Sequence, residues 1–344
     1  MKALVIHAAH DLHVEEWPEE SLQPGKVLLR VAAGGICGSD LHYYNHGGFG
    51  TVKLREPMVL GHEVSAYVEK LGEGVTGLKL GQLVSVSPSR PCGQCRYCWE
   101  GLHNQCLNMR FYGSAMPFPH IQGAFREKLV ADAVQCVPAD GLSPAEAAMA
   151  EPLSVTLHAT RRTGNAFGKR VLVTGCGPIG ALAILAARRA GAAEIVATDL
   201  SAFALSKAKQ VGADLTINTG TTPDGLKAYE VDKGKFDILY ECSGSAAALQ
   251  GAIPALRPRG VIVQLGLGGD MSLPMMAITS KELELRGSFR FHEEFPLAVE
   301  LMQKKLIDVR PLITQEVDFD QADSAFKTAS DRRLAMKVQI VFPK

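Results

Sequence analysis

The chain has 344 residues, 47% of them apolar and 21% charged, enough for two domains with separate cores in a soluble globular protein. Its 36 Lys and Arg balance its 36 Asp and Glu, so no overall field attracts nucleic acid or an anionic membrane surface. The opening MKALVIHAAHDLHVEEWPEE meets charge and histidine too early for a signal peptide, and no apolar run approaches the roughly 18 residues of a spanning helix. The eight cysteines then point to metal or thiol chemistry in a cytoplasmic protein, away from disulfides.

From residue 1 to about 153 the sequence reads as short alternating strands, at 2–7, 27–32, 64–71 and 83–87, between Gly and Pro turns. With little helical periodicity, this predicts an irregular, barrel-like β domain. Two groups of metal-ligand residues lie in it. Cys92, Cys95, Cys98 and Cys106 follow a C-x2-C-x2-C-x7-C pattern that can surround a tetrahedral Zn²⁺ on a short lobe. Four thiolates leave no position for substrate, so the site is read as structural, its negative charge offset by Arg90, Arg96 and Arg110. An iron–sulfur cluster is the rival, since similar runs hold one; free or disulfide-bonded cysteines are the plain alternative. The neutral charge and few aromatics disfavour a nucleic-acid zinc knuckle.

The second group is dispersed. Cys37, Ser39, Asp40 and His42 share one stretch, His62 and Glu63 another, and Glu151 stands alone. Spacing does not assemble them, and a hydrogen-bonded core histidine is the simpler reading of His62.

Mid-chain, the β-prone run 171–174 enters Gly175-Cys176-Gly177-Pro178-Ile179-Gly180, and an Ala/Leu-rich helix follows. In a G-x-G-x-x-G turn the first glycine permits the bend, the second lets a pyrophosphate approach, and the third lets helix and strand pack. The helix N-terminus offers free N–H groups to that phosphate. A second strand, 195–198, ends at Asp199, near the roughly 20-residue offset of a ribose-binding acid. Asp199 repels a 2′-phosphate, and 200–203 hold no arginine to bind one, which favours NAD over NADP. Further strands at 214–218, 236–241, 261–265 and 283–289 bring the count to six. Alternating with helices, they predict an α/β doubly wound parallel sheet. Cys176 and Cys242 read as small buried residues.

Taken in order, GGICGSDLH, PMVLGHE, the four-cysteine lobe, AEPLSVTLHA and VLVTGCGPIG resemble the zinc-dependent medium-chain dehydrogenase/reductase family along essentially the whole chain. The resemblance implies a GroES-like catalytic domain, residues 1–153 and 296–344, interrupted by a Rossmann domain, residues 154–295. It implies two zinc ions per chain, the catalytic one held by Cys37, His62 and Glu151. A carboxylate in the third place resembles the polyol branch. Glu63 becomes an inner or exchanging ligand, with Lys337 brought toward it on a tail strand at 336–342. Cofactor contacts fall on Gly175, Gly177, Pro178, Ile179, Gly180, Asp199, Cys242, Ser243, Leu265, Gly266, Leu267, Ser288 and Phe289. Substrate contacts fall on Tyr43, Arg110, Glu151 and Arg290. Ser39 and His42 form a proton relay, and Asp40 holds the His62 ring.

The implied reaction passes a hydride from a secondary alcohol of a polyol or sugar acid to NAD, with NADP the alternative. The run MRFYGSAM at 109–116 resembles sugar-acid enzymes more than the sorbitol/xylitol or L-threonine ones, which remain alternatives. A non-catalytic zinc and nucleotide binder is a further alternative, opposed by the intact Cys37, His62 and Glu151 set. The resemblance also implies a homo-oligomer, tetramer or dimer, joined through the 261–289 edge. Two positions depart from the family pattern, Ala66 and Gln82, and neither is a ligand position.

Overall fold

The computed structural model describes residues 1–343. Its front half is built on a seven-stranded sheet whose centre is Lys26–Gly35. Glu63–Leu71, Leu83–Val86 and Cys136–Pro138 extend it on one side, and Lys128–Asp132 also pairs with the central strand. On the other side stand two strands from the far end of the chain. Lys337–Val341 runs antiparallel to Lys26–Gly35, with Ile340 opposite Gly34, and parallel to Ile313–Asp318. The tail therefore completes the first domain's sheet.

Between these pieces lies the six-stranded parallel sheet expected from the apolar runs. Its order is Leu215–Asn218, Glu194–Asp199, Arg170–Thr174, Phe236–Glu241, Leu256–Gln264, Glu284–Gly287. The central strands are buried on both faces, so they are continuously apolar and do not alternate. Pro178 starts the first crossover helix, Pro178–Arg189, and Arg188 and Arg189 sit in its last turn, where cations suit the dipole. Helix Ala150–Thr163 packs on this helix and on Glu294–Gln303, tying the two sheets together.

Three local differences from the sequence reading have identifiable causes. The segment after Cys37 is a helix, Gly38–His46, where strands and loops were expected. Its amphipathic signal is weak, but the Asp40 side chain accepts from the Cys37 N–H at 3.0 Å and caps its start. The fifth sheet strand begins at Leu256, not 261, because a register irregularity lets Arg259 take a left-handed φ of 60°. The sixth stops at Gly287, since the chain turns at Arg290, φ 54°. Among the described residues no helix is long and apolar enough to cross a membrane.

Candidate active site

The first ligand cluster forms where strand ends meet. Cys37 follows the central strand, His62 immediately precedes the strand Glu63–Leu71 that Glu63 begins, and ligand atoms of all three lie within 4.8 Å of one another. Glu151 stands in the first turn of Ala150–Thr163 and is 5% exposed. Burial pushes its carboxyl well above the ordinary range; the charges of His62, Glu63, Cys37 and Lys337 also act on it. Among the described residues no hydrogen bond supports that carboxyl. Burial, then Glu63, likewise pushes the Cys37 thiol up to about 12. Anionic ligands forced toward protonation in one buried place are what a divalent cation reverses. Among the described residues the group within ligand reach is Cys37, His62 and Glu63, two anions and an imidazole that suit Zn²⁺; Glu151, the third ligand the resemblance implies, is not part of that group and acts on it through charge.

Asp40 is fully buried, but its carboxylate is 3.7 Å from His62 Nδ1, beyond hydrogen-bond length. That Nδ1 has no partner among the described residues. Asp40 instead accepts from the N–H groups of Cys37 and, at 3.3 Å, Gly61. It thereby ties together the two segments that carry ligands. Glu63 is held through both oxygens by Lys337 Nζ, which also donates to the Ile36 carbonyl at 3.0 Å.

Around this cluster Ser39 and His42 are half-buried on helix Gly38–His46. Burial, and then His46, push the His42 imidazole down. Tyr43 is 2% exposed, and its hydroxyl accepts from the Ala115 N–H at 3.0 Å. Arg110 is exposed on a short strand paired with Ser89–Arg90. Its neighbour Phe111, which the sequence reading did not single out, is the residue in the cleft: its ring lies 5.5 Å from that of His62. The Arg290 guanidinium covers Phe111 at 4.1 Å and lies 3.4 Å from Met116 Sδ. Burial pushes Arg290 down to about 10, with Glu151 and Tyr43 acting against that shift.

The four-cysteine lobe is a second cluster, again within 4.8 Å. Cys95 Sγ lies 3.6 Å from Cys98 Sγ and 4.0 Å from Cys106 Sγ. These match the edges of a tetrahedron around one ion, about 3.8 Å for 2.3 Å bonds, and exclude disulfides, whose sulfurs are about 2.05 Å apart. Backbone N–H groups of Cys92 and Asn108 point at Cys106 Sγ. The Cys92 thiol is pulled down to about 6 by the N–H of Gln94 and the Asn108 amide. Burial and the neighbouring Cys95 and Cys106 push Cys98 up to about 12, a crowding of sulfurs that a bound cation would relieve.

The glycine turn has the geometry its spacing predicts. Gly175 has φ 82°, and a Cβ there would meet Ser243 N at 2.6 Å. A Cβ on Gly180 would strike the Gly175 carbonyl, whereas Gly177, at the helix N-cap, faces open space. Pro178 and Ile179 form the first turn of that helix. Asp199 accepts from the Cys176 N–H at 2.6 Å and the Ser201 N–H at 2.7 Å, so its carboxylate is fixed beside the turn. Cys242, Ser243, Leu265 and Gly266 end the adjacent strands, Leu267 and Phe289 are exposed, and Ser288 Oγ is buried without a partner. An open cradle with an unpaired hydroxyl at its rim fits a dinucleotide.

Glu241 was also missed. It is fully buried and accepts from Ser243 N–H at 2.9 Å, Ser243 Oγ, Gly244 N–H at 3.1 Å and Gln264 Nε2 at 2.6 Å. A carboxylate at the end of the largely apolar strand FDILYE was its one sequence signal.

A GroES-like sheet, a Rossmann sheet, a ligand cluster and a dinucleotide turn together define a zinc-dependent dehydrogenase. Two family profiles match, the alcohol dehydrogenase GroES-like domain over residues 23–141 and zinc-binding dehydrogenase over 178–304. The chain belongs to the zinc-dependent medium-chain alcohol dehydrogenase family and is an NAD(P)-dependent zinc alcohol/polyol dehydrogenase. It is 44% identical over 322 residues to L-idonate 5-dehydrogenase (NAD(P)(+)) of Escherichia coli K12, covering 92% of both chains. To human sorbitol dehydrogenase it is 37% identical over 348 residues, covering 98% of this chain and 95% of that one. The crystal structure of the E. coli L-idonate 5-dehydrogenase superposes with a TM-score of 0.95, 41% identity and coverage of 99% and 98%. An E. coli alcohol dehydrogenase complexed with NADH gives 0.90 at 28% identity, covering 99% of each chain.

Proposed function

We propose that this dehydrogenase oxidises a secondary alcohol of a six-carbon sugar acid, L-idonate, to the 5-keto acid with NAD. The observation that carries this reading is Arg290: a half-buried cation beside Glu151 and Tyr43 that forms no ion pair among the described residues. A buried guanidinium without an anion is costly, and a substrate carboxylate supplies one in the fork geometry guanidinium favours. A neutral polyol does not. The 44% identity to L-idonate 5-dehydrogenase supports the same choice over sorbitol.

Zinc held by Cys37, His62 and Glu151 would supply the Lewis acidity that lets an alcohol lose its proton near neutral pH. Gly175, Gly177 and Gly180, with Asp199 at the ribose, would hold NAD, which would supply the hydride acceptor. Cys242, Ser243, Leu265, Gly266, Leu267, Ser288 and Phe289 border that seat. Ser39 takes the substrate proton and passes it to His42, whose lowered affinity for protons favours release to water. Glu151 serves as third ligand because Glu63 is engaged through both oxygens by Lys337. Tyr43 and Arg290 orient the sugar acid. The open edge strand Glu284–Gly287, with Leu285 46% exposed, is where a second copy would extend the sheet into a dimer or tetramer.

Steady-state assays with NAD on L-idonate, D-sorbitol and L-threonine test the reading. L-Idonate should have the highest kcat/KM, and Arg290→Glu should raise its KM at least tenfold. Inactivity on L-idonate, or an unchanged KM in that variant, defeats the proposal.

A further inference from the structure

We infer that the four-cysteine lobe is a positioning element for the substrate arginine: His103 and Asn104 pin residues 289–292 so that Arg290 stays over Phe111. The inference rests on the reading of Arg290 as the carboxylate binder.

The starting point is strain. Arg290 has φ 54°, the left-handed region. For a residue with a Cβ this conformation is strained and persists where the surroundings over-determine it. Those surroundings can be named. On one side, the Asn104 side-chain amide donates to the Phe289 carbonyl at 2.9 Å. On the other, the His103 ring stacks on His292, 4.2 Å between centroids and 28° between planes. His103 Nδ1 has no hydrogen-bond partner among the described residues, so the ring acts through its face. Phe291 is fully buried, and the His292 N–H donates to Glu294 at 3.1 Å. Residues 289, 291 and 292 are thus each tied down, and the Arg290 side chain projects from between them. Its guanidinium lies over the rings of Phe111 and Phe289 and against the Met116 sulfur, close enough to Glu151 and Tyr43 to feel their charges.

The two pinning residues belong to the lobe. His103–Gln105 is a single 3₁₀ turn between the third and fourth cysteines, closed by the Cys106 N–H donating to the His103 carbonyl at 3.1 Å. Whatever fixes Cys98 and Cys106 therefore fixes the side chains that hold the arginine loop. The lobe itself has no open ligand position and exposes Trp99, Leu102 and Leu107. Its influence on the reaction runs through these two side chains and reaches the acid end of the substrate through Arg290.

The test uses the zinc-loaded full chain with Asn104→Ala, His103→Ala, His103→Phe and Arg290→Met. KM and kcat are measured with NAD on L-idonate and D-sorbitol, and the Kd of L-idonate by calorimetry. Asn104→Ala and His103→Ala should raise the KM and Kd for L-idonate about five- to tenfold, with kcat and the KM for sorbitol moving less than twofold. His103→Phe, which keeps the stack, should restore the KM. Adding Asn104→Ala to Arg290→Met should cause no further loss, since both act through one contact. If Asn104→Ala and His103→Ala leave L-idonate binding within twofold while Arg290→Met weakens it, the lobe is not a positioning element and the inference alone falls. Equal losses on sorbitol would mean general destabilisation and also overturn it. If Arg290→Met itself changes nothing, the carboxylate reading falls, and the inference with it.

Discussion

Lys337 Nζ lies 2.8 and 2.7 Å from the two oxygens of Glu63, joining residues 274 positions apart with side chains only 2% and 1% exposed. Burial alone lowers a lysine's affinity for its proton; here the Glu63, Cys37 and Glu151 charges outweigh burial and hold Lys337 above its ordinary value. The pair links the returning tail to the segment that carries His62. Lys337→Met removes the cation and leaves Glu63 uncompensated, an expected loss of roughly 3–5 kcal/mol. Adding Glu63→Leu should recover most of it. Urea unfolding of the two variants checks both values; a single variant as stable as the parent would contradict the pairing.

Acid should loosen the loop that carries Arg290 through Glu294, which accepts from the His292 N–H. Burial pushes this carboxyl up, but hydrogen bonds from His158 and the His292 N–H outweigh it and hold the group down to about 2. A depressed carboxyl stabilises the fold at pH values above its ordinary 4.5, and that contribution disappears as pH falls through about 2. The expected loss is on the order of 3 kcal/mol. Comparing unfolding midpoints of the parent and Glu294→Gln at pH 7, 5, 3 and 2 isolates it. The variant should start lower and fall less steeply; parallel curves would remove Glu294 from the account.

Metal analysis should find two zinc ions per chain. Cys98→Ser should retain one and melt several degrees lower, because a structural site contributes its binding energy to folding. Glu151→Ala should also retain one, with its four-cysteine site intact, whereas Glu63→Gln should keep two. One zinc in Glu63→Gln and two in Glu151→Ala would exchange the roles of the two carboxylates.

Asp199 is fixed by the N–H groups of Cys176 and Ser201, so it cannot swing away from a 2′-phosphate. Asp199→Ala should lower kcat/KM for NAD at least about tenfold, the equivalent of one lost charged hydrogen bond. The same change should narrow the gap to NADP. A preference ratio that stays put would show that discrimination lies elsewhere.

How much of this was legible beforehand follows from distance along the chain. The dinucleotide turn is set by three glycines within six residues, and backbone sterics give each of them its place. The cysteine lobe is equally local, since C-x2-C-x2-C-x7-C brings four sulfurs together with little help from the remainder. Apolar runs likewise announced the parallel sheet, because strands buried on both faces have no alternation to hide. Local stereochemistry and burial decided these features, and the sequence alone carries them.

The catalytic pocket is of another kind. Cys37, His62, Glu63 and Lys337 meet because Glu63–Leu71 and the tail strand both pair with Lys26–Gly35, and helix Ala150–Thr163, packed against both sheets, carries Glu151. No spacing rule encodes such pairings, and the family resemblance had to supply their roles. Phe111, the Glu241 clamp and the link from Asn104 to Phe289 were invisible for the same reason: each depends on which surface a side chain faces after distant segments dock. Asp40 makes the point most finely. Its neighbours in sequence suggested a partner for His62, whereas the packed structure places it 3.7 Å from that ring and in hydrogen-bond contact with two backbone N–H groups. Sequence determined which chemical groups the protein owns and the turns that hold phosphate. Tertiary packing decided which of them share one buried volume, because only there do desolvation and mutual charge fix what each group can do.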